Sequence, residues 1–204
     1  MVDPSFERLP PDKKNRIIEG ALREFAASGY AMASTNRIVE EVGISKGSLF
    51  HYFGSKEDLW LYVAEHVFSS VASLMKDRVR ELPADLLARL RLLAEIMLDF
   101  YVENPLSYRF FLGILDPGTS SLQRELLSRV GKSFDLDSFF IGVETSRFRT
   151  DRASTLLLVK WLFSGIKQEL FELDELRTDP SRMKEEFLSR LDQVLLSLAS
   201  GLYR

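Results

Sequence analysis

The sequence contains no cysteine and only two histidines, His51 and His66, in 204 residues. Without cysteine there are no disulfides, no thiol nucleophile and no cysteine-ligated metal. The histidines stand fifteen residues apart, so neither the H-E-x-x-H pair of a zinc hydrolase nor a Cys/His dyad can be assembled. G-x-S-x-G, G-x-x-x-x-G-K-[ST] and G-x-G-x-x-G are also missing, which removes the sequence marks of a nucleophile elbow, a P-loop and a dinucleotide fold. Carboxylates do pair, as Glu40–Glu41 and Glu185–Glu186. Neighbours on a helix diverge by about 100° and do not converge on one atom. Nothing nominates an enzyme, a metal site or a cofactor.

Long hydrophobic runs are also lacking. The first sixteen residues, MVDPSFERLPPDKKNR, are polar and broken by proline, without the apolar stretch of an export signal. The most apolar later run, ASTLLLVKWLFSG, includes Lys160 and falls short of the roughly 20 residues that span a bilayer. No membrane span is expected, and the expected location is cytoplasmic. Repeats, low-complexity tracts and Gly/Ser linkers are absent too.

What is present is helical periodicity. Apolar residues recur at three- and four-residue steps, and strict alternation never extends far enough for a sheet, so the class is all-α. A first helix is predicted over 12–28, with Ile17, Ile18, Ala21, Leu22 and Phe25 on one face and Gly29 as its stop. STNRIVEEVG gives a second, two turns long, capped by Ser34 or Thr35 and ended by Gly43. A three-residue turn leads to a third, capped by Ser45, with Leu49 and Phe53 inward. Two short helices about a tight glycine turn form a helix-turn-helix. The S-K-E-D box at Ser55–Asp58 opens a long helix to about residue 80. Further helices are predicted over 84–103, 105–115, 119–131, 151–174 and 181–203, with Pro83 and Pro105 marking two starts and DPG at 116–118 a turn. Residues 132–150 have no clean period and are assigned to neither helix nor loop.

The stretch ISKGSLFHYFGSKEDL sets four ring-bearing residues side by side, Phe50 to Phe53. If Leu49 and Phe53 face inward, Lys46, Gly47, Ser48, Phe50, His51 and Tyr52 occupy the other faces. Such a patch suits a DNA major groove, where the first residues of a helix reach base edges and Lys, His and Tyr donate to phosphates. On pattern alone, a helix packed inside an ordinary all-α core fits as well. Overall charge gives DNA binding little support: the net charge is −3, divided as +1 over residues 1–56 and −4 over 57–204.

The run from Ile17 to Leu59, IIEGALREFAASGYAMASTNRIVEEVGISKGSLFHYFGSKEDL, closely resembles the DNA-binding region of the tetracycline-repressor (TetR) family of bacterial regulators. LREFAASGY, T-x-x-I-x-x-x-x-G-I-S-K-G and LFHYFGSKEDL carry the match. The resemblance implies an N-terminal three-helix helix-turn-helix domain, residues 1–55, followed by a helical effector-binding and dimerisation domain, residues 56–204. It implies a homodimer on a palindromic double-stranded operator, most simply a repressor, released by a small and largely apolar effector. Carried over by position, it makes Thr35 a phosphate ligand and Asn36 and Arg37 candidates for base or phosphate. Lys46, Gly47 and Ser48 would face base edges or the adjacent backbone, Phe50 and His51 the duplex, and Tyr52 and Lys56 the phosphates. Phe50 departs from the family's usual tyrosine. A helical dimer of the same fold that binds a ligand or acts as an adaptor without DNA is the alternative.

In the C-terminal part, the apolar positions 187, 188, 191, 194, 195, 196 and 198 spread over more than one helix face, enough for an own-domain contact and a second subunit. Aromatics at helical spacing are ordinarily core. Those expected to line an effector cavity are Met97, Tyr101, Tyr108, Phe111 and Trp161. His66 is expected to be structural or pocket-lining.

Overall fold

The computed structural model describes residues 2–78, 82–114, 121–130, 141–144, 148–149, 151–175 and 179–202. Among these the chain is helical and has no strand. The helices are α1 (Pro4–Glu7), α2 (Pro11–Met32), α3 (Thr35–Val42), α4 (Lys46–Phe53), α5 (Lys56–Arg78), α6 (Leu86–Glu103), α7 (Pro105–Ile114), α8 (Ser121–Val130), α9 (Arg152–Glu175) and α10 (Pro180–Leu202). The predicted helices match these to within a few residues. The DPG turn and most of 132–150 lie outside the described residues.

Two compact units emerge. One comprises residues 1–73 with 104–134, the other 74–103 with 135–204. Packing thus groups α7 and α8 with the N-terminal helices. The division expected at residue 55 concerns what each segment binds rather than how it packs.

In the first unit α2 is the central column, packed against both α3 and α7. Proline occupies its first turn, where the missing N–H costs nothing. Ile17, Ile18, Ala21, Leu22 and Phe25 are buried along one stripe, as their spacing predicts. At Gly29 the backbone leaves the helix with φ 64° and ψ 169°, a conformation essentially reserved for glycine. Gly20 is needed for a different reason. A Cβ there would lie 2.4 Å from Val42 Cγ1, so its absence is what lets α3 approach α2.

The next three helices start on serine hydroxyls. Ser34 Oγ accepts from Arg37 N (3.4 Å), Ser45 Oγ from Ser48 N (3.0 Å) and Ser55 Oγ from Asp58 N (3.0 Å). Each satisfies an amide the helix cannot. Gly43 adopts the left-handed conformation that ends α3, and α4 follows at once. The corner between α2 and α3 is also held by charge. Glu24 accepts from Ser34 N (2.7 Å) and from Arg37 Nε (3.0 Å). A second Arg37 nitrogen bonds the same carboxylate and donates to Met32 O (3.1 Å). Around α7 the core is aromatic: Phe110 lies against Phe25 and Trp60, and Phe111 against Phe68.

One element has no counterpart in the sequence reading. Helix α1 is a single turn, with Asp3 Oδ1 accepting from Ser5 N (2.8 Å) and Pro4 in its first position. It packs on α4.

In the second unit α6 packs along α10. Leu86, Leu90, Ile96 and Leu98 are buried from one helix and Met183, Phe187, Leu191 and Leu195 from the other. Ion pairs Lys184–Asp99 and Arg91–Asp192 flank this seam. Helix α6 starts three residues after Pro83, capped by Asp85, which accepts from Ala88 N (2.8 Å). Arg89 is 1% exposed. Its guanidinium donates to Pro83 O (2.8 Å) and Ile141 O (2.9 Å), and burial lowers its pKa. It ties the approach to α6 to the segment around residue 141.

Two outcomes follow. Gly20→Ala forces a methyl into Val42. Overpacking costs about 1–3 kcal/mol and the helix-propensity gain returns at most about 1 kcal/mol. Urea unfolding should therefore show a net loss of about 1 kcal/mol or more, whereas a gain would mean that the α2–α3 contact is loose. The Glu24 carboxyl is held below the ordinary carboxylate range, chiefly by its hydrogen bonds from Arg37, against the opposing effect of burial. Its contribution is complete above the unfolded value of about 4.3 and is lost as pH falls through the lower folded value. Unfolding of Glu24→Gln and the native protein should therefore differ at neutral pH, and the difference should close as pH falls through that lowered value.

Candidate nucleic-acid interface

Helix α4 has eight residues, too few to persist alone. It is seated by Leu49 and Phe53, both buried. With that side fixed, Lys46, Gly47 and His51 are exposed, and Ser48, Phe50 and Tyr52 half-buried. The partition is the one the sequence predicts. Ser45 and Ser48 hydroxyls lie 2.8 Å apart, so Ser48 is held at the cap and its rotamer is restricted. Lys46 Nζ lies 5.9 Å from the centre of the Phe50 ring, a cation–π contact that keeps the ammonium near the start of α4.

Helix α3 supplies the other edge. Thr35 is half-buried at its first position, and Asn36 is exposed. Arg37 was predicted as an alternative contact, but its guanidinium is directed to Glu24 and Met32 O. That charge is paired within the fold and braces α3, although the Arg37 side chain, like Asn36, remains exposed.

Lys56, in the first turn of α5, donates to Ala31 O (3.2 Å) and sits 4.8 Å over the Tyr30 ring. The lysine is among the expected phosphate contacts; its support by Tyr30 and Ala31 is not legible in the local pattern. Tyr30 directly follows the kink at Gly29 and lies beneath a side chain 26 positions on. Burial, and then the charge of Glu57, raise the Tyr30 pKa, so at neutral pH its ring faces the ammonium as a neutral phenol. His51 Nε2 lies 3.4 Å from Ser5 Oγ and its ring 5.7 Å from Tyr52. That neighbour comes from α1, which the sequence reading did not contain.

The residues expected around an effector divide between the units. Tyr108 and Phe111 are buried in the first, Tyr101 is buried and Met97 half-buried in the second. Trp161 departs from the expectation of an interior wall: it is 66% exposed on α9, one turn from the exposed Leu157. His66, expected as structural or pocket-lining, is exposed on α5. Among the described residues no group of three His, Cys, Asp or Glu is placed to hold a metal, and no helix is long and apolar enough to cross a membrane.

Residues 17–63 match the family described as bacterial regulatory proteins, tetR family. The HTH-type transcriptional repressor AcnR of Corynebacterium glutamicum is 38% identical over 68 residues, 33% of this chain and 36% of that protein. The chain thus matches just over a third of that relative's length. The HTH-type transcriptional activator FasR of Mycolicibacterium smegmatis is 27% identical over 147 residues, 70% of this chain and 67% of the relative. Among solved structures, a TetR family transcriptional regulator from Chloroflexus aurantiacus superimposes with TM-score 0.75 at 23% identity, covering 100% of this chain and 99% of that one. The transcriptional regulator FadR of Bacillus subtilis, solved with stearoyl-CoA, gives TM-score 0.61 at 16% identity over 87% of this chain and 96% of its own. The helix-turn-helix match and the whole-chain fold agree: residues 17–63 match the tetR family, and the whole chain has the fold of a solved TetR family regulator.

Proposed function

We propose that this protein is a ligand-responsive, DNA-binding transcriptional regulator that acts as a homodimer on a palindromic operator, most simply as a repressor. The observation that carries the reading is the orientation of α4. Its apolar pair is spent on the core, which leaves lysine, serine, histidine and aromatic groups directed outward. Thr35, Asn36, Lys46, Gly47, Ser48, Phe50, His51, Tyr52 and Lys56 form the proposed contact face. Lys56 and Tyr52 hold phosphates, while Ser48 and His51 reach toward bases. With a net charge of −3, attraction to DNA rests on this local face rather than on the whole protein.

The second half of the proposal is the dimer. Leu157 and Trp161 on α9, and Val194 and Leu196 on α10, are exposed, Leu196 at 76%. The same helices bury Val159, Leu191 and Leu195, so each has one apolar face used and one unused. A matching pair from a second subunit covers them in a four-helix contact. Two copies of α4 spaced about 34 Å apart then meet successive major grooves. An effector changes DNA affinity only through its differential affinity for the two states. The buried or half-buried apolar and phenolic groups Met97 and Tyr101 of one unit, and Tyr108 and Phe111 of the other, suit a largely apolar one. Trp161 is reassigned from effector wall to subunit contact.

Selection of bound fragments from the source genome tests the reading: a recovered palindrome supports it, and the absence of any preferred fragment leaves the DNA-free ligand-binding or adaptor protein. On a recovered site, Lys56→Ala should weaken all sequences alike and lower the salt slope by about one. His51→Ala or Ser48→Ala should instead change which sequence is preferred, at about 1–3 kcal/mol per altered base contact. Trp161→Glu should convert the dimer to a monomer in sedimentation equilibrium. A monomeric native protein, or a dimer indifferent to that charge, excludes this interface.

A further inference from the structure

Helix α4 is packed by α3 and by the short α1, and its Phe53 ring meets Tyr62 of α5. Phe6 is 0% exposed. Its ring centre lies 4.6 Å from Phe53, 5.3 Å from Tyr62 and 5.6 Å from Tyr52. Asp3 N donates to Tyr52 O (2.8 Å), a carbonyl in the last turn of α4 that has no partner further along its own helix. Ser5 Oγ lies 3.4 Å from His51 Nε2. On the far side of α1, Glu7 accepts from Tyr62 OH (2.9 Å) on α5 and Lys14 Nζ (2.7 Å) on α2. One turn of helix therefore joins the exit of α4 to two long helices by a ring cluster, a main-chain bond and a carboxylate.

We propose that α1 is a brace that sets the pose of α4 on DNA, with Phe6 as its positioning residue. The inference rests on the DNA-binding function proposed above. Helix α1 touches Phe53, which the core also seats, and beyond it Tyr52 and His51: Leu49 and Phe53 fix which side of α4 faces inward, and α1 fixes where its last turn ends. A shift there moves His51 and Tyr52 relative to Lys46 and Ser48 at the other end of the same helix. Base readout needs these groups in register together, whereas non-specific phosphate attraction tolerates the shift.

The test compares native protein, Phe6→Ala, Phe6→Leu and Asp3→Ala, all full-length, on the selected operator and on a scrambled duplex, with amide exchange measured in parallel. Asp3→Ala leaves the core intact and removes only the cap of α1, so it serves should Phe6→Ala fail to fold. In Phe6→Ala, operator affinity should fall about tenfold or more, the scale of a mismatched base pair, while scrambled-duplex affinity stays within about twofold. Amides at the end of α4 should exchange faster without loss of protection in α2 and α3. Phe6→Leu should recover most of the operator affinity and Asp3→Ala should change it in the same direction. Equal losses on both duplexes, unchanged discrimination, or faster exchange spread evenly through α2–α4 would overturn the brace and leave Phe6 as ordinary core. If native protein prefers no duplex, the DNA-binding reading fails. The exchange pattern alone then decides whether α1 holds α4.

Discussion

The structure around the proposed interface depends on how two side chains, Leu49 and Phe53, are buried from a helix only eight residues long. Such a segment does not hold helical structure by propensity, and its Gly47 costs up to about 1 kcal/mol against alanine. Tertiary seating therefore makes α4 a helix, and the same seating determines what remains outside. Gly43 places that seat: its left-handed conformation turns the chain so that only three residues separate α3 from α4. A helix begun elsewhere would present another face.

Charge is used locally and mostly consumed. The residues before the long helix carry almost balanced charge, and much of it is paired within the fold. Arg37 is engaged by Glu24, Arg23 by Glu41 and Lys14 by Glu7. Exposed pairs of this kind add little stability each, but they decide which cations face outward. Lys46 lies over Phe50, and Lys56 over Tyr30 beside a carbonyl. Neither contact neutralises the ammonium. The arrangement gives a site of few positive charges held in fixed places, in a protein whose total charge is negative.

The parts of this arrangement legible in the sequence are those whose physics is local. Ser34, Ser45 and Ser55 are caps that act over three residues, and Gly29 and Gly43 are breaks that act at one, so the helix borders were readable. So was the inward pair on α4, because four-residue spacing fixes a common face. Three features depended on distant partners. Helix α1 has too few residues to show a period, and Phe6 is buried by rings 46 and more positions away, although Asp3–Pro4 does carry a cap signature. The pairing of Arg37 is not visible locally because Glu24 lies thirteen residues earlier on another helix. Trp161 was placed inside because an all-round apolar helix does not reveal which of its faces the protomer covers.

The family match covers residues 17–63, whereas the likeness to a solved relative covers the whole chain at 23% identity. Packing tolerance accounts for that contrast. In the N-terminal helices, contacts are set by backbone approach and turn geometry: a methyl at Gly20 collides with Val42, and a side chain at Gly29 or Gly43 would be strained. Substitution at such positions carries a packing or backbone cost. The α6–α10 seam is filled by leucine, isoleucine, phenylalanine and methionine, which can be exchanged for one another with repacking as long as volume and pattern persist. A fold of this kind can keep its shape while its interior changes composition. The composition of that interior is what would discriminate one effector from another, so a shared fold transmits the shape of a regulator and not the identity of its ligand.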